Sequence, residues 1–91
     1  MRIRWTPPAA ADMQSISDYL KERQPEYRQP PMRKLYEKIR DLKTAPYVGR
    51  SGRIEGTREF FFLPMPYVAV YSVHAESIEV WRIFHTAQNR S

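Results

Sequence analysis

The apolar positions change period once along the chain. Up to Leu42 they recur at helical spacing; from Arg58 to His85 they crowd or alternate as strands do. Arg2-Ile3-Arg4-Trp5 alternates polar and apolar, which predicts a short edge strand. Thr6-Pro7 predicts a helix start, with Thr at the N-cap and Pro at the first helical position, where its missing N–H costs nothing. Met13, Ile16 and Leu20 then share one face, with Ala9 a turn earlier and Tyr19 beside it. Asp12 comes early enough to suit the positive end of the helix dipole. Gln24-Pro25 is expected to end or break this helix.

Pro30-Pro31 opens a second helix, whose apolar residues Met32, Leu35, Ile39 and Leu42 are spaced 3, 4 and 3. Tyr36 widens that seam, and Arg33, Lys34, Glu37, Lys38, Arg40, Asp41 and Lys43 occupy the opposite face. Ala45-Pro46 stops the helix. The short link between two such helices implies an antiparallel helical hairpin.

All three glycines, Gly49, Gly52 and Gly56, fall in the next stretch, interleaved with Arg50, Arg53 and Arg58, which predicts a loop. Arg58–Leu63 is the first strand beyond it, Tyr67–Val73 the second and Ile78–His85 the third. Pro64-Met65-Pro66 and His74-Ala75-Glu76-Ser77 are the turns between them. Thr86 to Ser91 forms a short polar tail. Strands joined by such short turns are antiparallel neighbours. The helical seam needs one sheet face to cover it. The order βααβββ is therefore expected to form a single two-layer α+β domain over residues 1–91.

The chain lacks cysteine, which excludes disulfides and thiolate metal sites and makes a reducing cytosol the expected location. No apolar run has signal-peptide or membrane-spanning length, so no membrane role is expected. The net charge of +5 points to an acidic partner, either nucleic acid or protein. The excess lies on the helical part. Residues 1–49 carry ten Lys/Arg against six Asp/Glu, and residues 50–91 carry five against four. No carboxylate pair shows metal-ligand spacing, and neither a metal nor another cofactor is expected.

Glycines that free the backbone N–H groups, beside fixed guanidinium forks, suit phosphate oxygens. Arg50 and Arg53 are candidate nucleic-acid contacts, with solvated surface charge as the alternative. Arg58 is a candidate phosphate ligand or a clamp that fixes the loop. Arg82, inside an apolar strand, requires a phosphate, a carboxylate partner such as Glu59, or a solvated face. His85 could transfer a proton near neutral pH, or pack on an aromatic ring at the strand end. Strand parity groups Arg82 with Val80 and Phe84, and His85 with Trp81 and Ile83. One site holding both needs a bulge or strand end to redirect His85. Glu55 and Glu59 are further candidate bases, and His74 reads as a solvated turn residue. Phe60-Phe61-Phe62 offers either base stacking or core packing.

Four segments together resemble the RelE/ParE superfamily of toxins from type II toxin–antitoxin modules. Trp5-Thr6-Pro7-x-Ala9-x-x-Asp12-Met13-x-x-Ile16-x-x-Tyr19-Leu20 is similar to its opening strand and helix. Pro46-x-x-Gly49-Arg50-x-Gly52-Arg53-x-x-Gly56-Thr57-Arg58-Glu59 is similar to its central loop. Pro66-Tyr67-Val68-x-x-Tyr71-x-Val73 and Ile78-Glu79-Val80-x-Arg82-Ile83-x-His85-x-Ala87-Gln88 are similar to its last strands. The resemblance covers nearly the whole chain and implies a toxin neutralised by a cognate antitoxin, with which it can form a hetero-oligomer. It implies either of two actions. The first expectation is ribosome-dependent, metal-independent mRNA cleavage, with Arg58, Arg82 and His85 as the catalytic set. The alternative is inhibition of DNA gyrase without a hydrolytic site. The chain departs from the best-known ribosome-dependent enzymes in having no lysine after Lys43 and no tyrosine after Tyr71. Exposed apolar residues around the helical hairpin and the Arg2–Trp5 strand are the expected antitoxin footprint.

Overall fold

A computed structural model describes residues 1–23 and 29–87 of the chain. The expected helix end at Gln24-Pro25 and the part of the tail from Gln88 onward lie outside the described residues. The elements run β1 (Arg2–Trp5), α1 (Pro7–Arg23), α2 (Gln29–Asp41), β2 (Arg50–Ser51), β3 (Arg58–Phe61), β4 (Tyr67–Val73) and β5 (Ser77–His85). The α+β order βααβββ is therefore observed, with one strand added. The sheet has five strands in the order β1-β5-β4-β3-β2. The three expected neighbours are antiparallel, whereas β1 lies parallel to β5 at one edge. The glycine–arginine stretch is not loop throughout. Arg50 pairs with Glu59 and Ser51 with Arg58, so β2 and β3 form a small hairpin at the other edge. Gly56 has φ of 85°, a left-handed conformation that favours glycine, and it turns the chain within that hairpin.

One face of the sheet carries the core. Ala9, Met13 and Ile16 of α1 and Leu35 and Ile39 of α2 cluster with Phe62, Ala69, Val80 and Ile83. Leu42, Tyr71 and Ile78 extend this packing. The seam of α2 is as the spacing predicts: Leu35 is 0%, Ile39 1% and Leu42 1% exposed. Tyr36 does not widen it; the ring is half exposed and tilts against Trp5 at 5.8 Å. Phe60 and Phe62 meet edge to face at 5.2 Å on the core side, so core packing claims two of the three phenylalanines.

β5 outruns β1, and α1 covers the difference. Trp5, the last residue of β1, pairs with Val80, and Thr6 adds one more backbone bond to Val80 O. The Thr6 hydroxyl then donates to Trp81 O at 2.9 Å and accepts from the Ala9 N–H at 3.2 Å. A single side chain thus caps α1 and closes the sheet edge. Thr6→Ala is expected to cost about 1 kcal/mol, an ordinary N-cap loss, measured as a lower urea midpoint with unchanged slope.

Candidate functional site

The face of the sheet away from the helices is ordered in rows. Cross-strand partners share a face, so Phe61, Val68 and Phe84 form one row across three strands. Glu59, Val70 and Arg82 form the next, extended by Arg50 on β2. Two guanidinium groups lie on the phenyl rings of the first row: Arg50 is 4.6 Å from the Phe61 centroid and Arg82 is 4.8 Å from that of Phe84. Ser72 and Glu79 continue the face toward the β4–β5 turn.

A bulge in β5 shapes this surface. Val70 pairs with Arg82 but Tyr71 pairs with Val80, so Trp81 is the extra residue. The parity expected for Val80 is thereby corrected: Val80 joins Ile83 in the core instead of sharing a face with Arg82. The bulge lies upstream of Arg82, so it leaves Arg82 and His85 on opposite faces. The Asp12 carboxylate binds the distorted segment. It accepts from Arg82 Nε at 2.7 Å, Arg82 Nη2 at 3.0 Å and the Ile83 N–H at 2.8 Å. This hydrogen bonding raises the Arg82 pKa further above its already high ordinary value. Asp12 thus supplies the carboxylate partner that the strand sequence demanded, in place of Glu59.

The structure divides the sequence-selected residues between two faces. Arg58 pairs with Tyr71 on the helix side, where its Nη1 donates to Gly49 O at 2.5 Å and Tyr47 O at 3.2 Å. Its guanidinium also lies 4.9 Å from the Tyr47 ring centroid. Arg58 therefore clamps the start of the glycine segment. His85 pairs with Tyr67 on the same side and meets that ring edge to face at 5.6 Å. Its Nδ1 accepts the Ala87 N–H at 3.1 Å. The Arg58 and His85 partners stand four positions apart on β4, about 13 Å at strand rise. Arg50, Arg53 and Arg82 belong to the outer side. Glu59 is 5% exposed there; it lies 3.6 Å from Arg50 Nη2 and accepts the Arg53 N–H at 3.4 Å.

Beneath the hairpin turn, the outer face holds a cavity of about 750 Å³. Ile54, Val70, Trp81 and Phe84 line it, and Arg53 and Arg82 also reach it. Sequence reading missed its polar end. Trp81 Nε1–H donates to Ser72 Oγ at 2.8 Å, and Ser72 Oγ lies 2.8 Å from His74 Nε2. Glu79 Oε1 is 3.8 Å from the same nitrogen. His74 is exposed, as expected of a solvated turn residue, and is also tied to the sheet through Ser72. Strand parity groups Trp81 with Ile83 and His85; the bulge corrects this and brings the indole to the outer face, beside Ser72. A second groove of about 510 Å³ lies between the helices, lined by Met13, Met32, Tyr36 and Arg40 among others. Among the described residues, no group of three His, Asp or Glu could hold a metal ion, and no helix is long and apolar enough to cross a membrane.

This architecture has relatives. The profile of the "ParE toxin of type II toxin-antitoxin system, parDE" family matches residues 3–90. The chain is 29% identical over 87 residues to "Putative toxin Y4kP" of Sinorhizobium fredii, covering 96% of this chain and 90% of that one. A chain of the chromosomal ParDE system from P. aeruginosa superposes with a TM-score of 0.84 at 26% identity, over 93% of this chain and 95% of that one. YafQ from E. coli shares the fold at a TM-score of 0.68 and 17% identity, over 96% of each chain. With a family match over nearly its entire length, the chain belongs to the ParE toxin family, within the RelE/ParE superfamily of type II toxin–antitoxin toxins.

Proposed function

We propose that this toxin arrests growth by binding DNA gyrase, in the ParE manner, and not by cutting mRNA. One observation carries the choice: Arg58, Arg82 and His85 are split between the two sheet faces. Phosphodiester cleavage needs acid, base and phosphate-binding cation within reach of one scissile bond. Here Arg82 is held by Asp12 on one side, while Arg58 grips two backbone carbonyls on the other. A protein target asks for no such convergence, only a complementary surface.

The helix-side groove and the β1 edge suit a cognate antitoxin. The groove combines apolar Met13 and Met32 with basic Arg33 and Arg40, a match for an acidic amphipathic segment. The similar P. aeruginosa chain comes from a ParDE toxin–antitoxin system, which supports such a partner here.

Purified chain titrated into a gyrase supercoiling reaction is expected to block it near stoichiometric ratios. RNA ends mapped after induction are expected to match those of uninduced cells. Codon-phased cuts in translated messages, with supercoiling unaffected, would reverse the assignment. His85→Ala is expected to leave growth arrest intact and to cost at most about 1 kcal/mol for the lost ring contact. Loss of arrest in a folded His85→Ala protein would restore the nuclease reading.

A further inference from the structure

The polar end of the outer cavity is a chain of hydrogen bonds that finishes on a titratable ring. Trp81 Nε1–H donates to Ser72 Oγ at 2.8 Å, and Ser72 Oγ lies 2.8 Å from His74 Nε2. Among the described residues, that oxygen has no other partner. A hydroxyl has one hydrogen to give. With the indole donating to it, the hydroxyl gives its own hydrogen to His74 Nε2, which requires that nitrogen to be bare. The neutral imidazole with its hydrogen on Nδ1 therefore completes the chain, a tautomer assigned by satisfying the network. Ser72 is 6% exposed, so little water reaches it, whereas Trp81 is 42% exposed, so this bond holds the ring at an otherwise open surface.

A proton on His74 breaks the chain. The imidazolium carries hydrogen on both nitrogens and accepts nothing. The Ser72 hydroxyl then lacks an acceptor in a nearly closed site, and leaving a buried donor unpaired costs more than a typical hydrogen bond gains. Rotation of the serine side chain toward a nearby backbone carbonyl restores a partner and takes Oγ away from the indole. Glu79 pulls the same way, because its Oε1 is 3.8 Å from His74 Nε2 and gains a cation when the ring is charged. Other charges surround the ring. Glu76 follows in the same turn, Arg4 on β1 is in register with Glu79, and Arg53, Glu55, Glu59 and Arg82 line the cavity. Among the described residues, only Glu79 forms an ion pair with the imidazole; Arg82 and Glu59 are paired with Asp12 and Arg50.

We propose that the outer face carries a pH-sensitive latch: Trp81 is held while His74 is neutral and released when His74 is protonated. Trp81 is the extra residue of the β5 bulge, so its release alters the exposed aromatic surface without breaking a ladder pair. The latch does not depend on which target the toxin has.

The test follows isotope-labelled full-length chain by NMR between about pH 8 and pH 5, the range in which histidine ordinarily changes charge. The order parameter of the Trp81 indole N–H is expected to fall from a rigid value, about 0.85, to a flexible one, below about 0.6, with the same midpoint as the His74 ring signals. Motion is the readout because the field of a charged imidazole alone would shift the signal without loosening the ring. The Trp5 indole, packed on the helix side, is the internal reference. His74→Gln keeps an acceptor that does not titrate and is expected to keep Trp81 rigid throughout. His74 is exposed, so its replacement leaves the fold intact. Ser72→Ala removes the link and is expected to leave Trp81 flexible at both ends of the range. A Trp81 that stays rigid on acidification of the parent chain, a midpoint that departs from that of His74, loosening that persists in His74→Gln, or a rigid Trp81 in Ser72→Ala would each overturn the latch.

Discussion

Asp12→Ala is expected to destabilise the chain by about 2–3 kcal/mol and to lower the melting temperature by roughly 10–20 °C. The carboxylate is 16% exposed and serves two groups. The larger loss comes from the Ile83 N–H, which faces the strand edge beyond the end of β1. Orphaning such a donor costs about 1–3 kcal/mol. The Arg82 pair adds less, because that side chain is 45% exposed and water screens the attraction. Asp12→Asn separates the two contributions. Its amide oxygen can still accept from Ile83 N–H, so it is expected to retain more than half of the lost stability. Equal melting temperatures for the Ala and Asn variants would mean that the ion pair, not the backbone bond, is the important contact. The family's opening helix then has a specific purpose here. Asp12 fastens α1 to the bulge, and the bulge presents Trp81 to the outer cavity.

Periodicity made most of this fold legible. The 3-4-3 spacing of α2 marked a face and the structure buries it, because a helix side chain has one direction set by its position. The last two strands were legible for the same reason, being long and rich in β-branched and aromatic residues. β2 was not. Two residues drawn from Gly, Arg and Ser have little strand preference, and only the register with Arg58 and Glu59 makes them a strand. The strand expected over Arg58–Leu63 also stops early, at Phe61, because Pro64 and Pro66 cannot donate to a ladder and begin the turn. Parallel pairing of β1 with β5 spans the whole chain and leaves no local mark.

The candidate site was legible residue by residue but not as an arrangement. Arg82 was expected to need a carboxylate, and that carboxylate is 70 positions away. Sequence can state that such a charge must be compensated; it cannot state by which of ten acidic residues. Likewise, nothing in the Ser72 to Trp81 segment announces a bulge, although one extra residue there puts an indole beside a serine hydroxyl.

Gly49→Ala is expected to cost about 3 kcal/mol, among the largest losses of any single methyl added to this chain. A Cβ there would stand 2.7 Å from the Tyr71 hydroxyl and 2.8 Å from the backbone oxygen of Glu59. The tyrosine is fully buried and cannot swing away. Its hydroxyl accepts the Gly49 N–H at 3.0 Å and donates to Pro46 O at 2.8 Å. Arg58 holds the same segment through Gly49 O and Tyr47 O. An added methyl therefore breaks a clamp that fixes the start of β2, and with it the hairpin over the cavity. Tyr71→Phe removes the hydroxyl without the clash and is expected to cost about 2 kcal/mol, for two backbone groups left unpaired. Alkaline titration gives an independent check. Burial raises the Tyr71 pKa above 10.0, only partly offset by the Gly49 bond and the Arg58 charge. The unfolded chain then ionises before the folded one. Stability is full below about pH 10 and falls as pH rises through the folded pKa, at up to about 1.4 kcal/mol per pH unit for this group. Tyr67 is shifted the same way by burial and contributes in parallel. Urea midpoints measured from pH 8 to pH 11 should therefore fall less steeply for Tyr71→Phe than for the parent chain. Identical slopes would show that Tyr71 ionises as freely in the folded protein as in the unfolded one, and that the clamp around Gly49 is open.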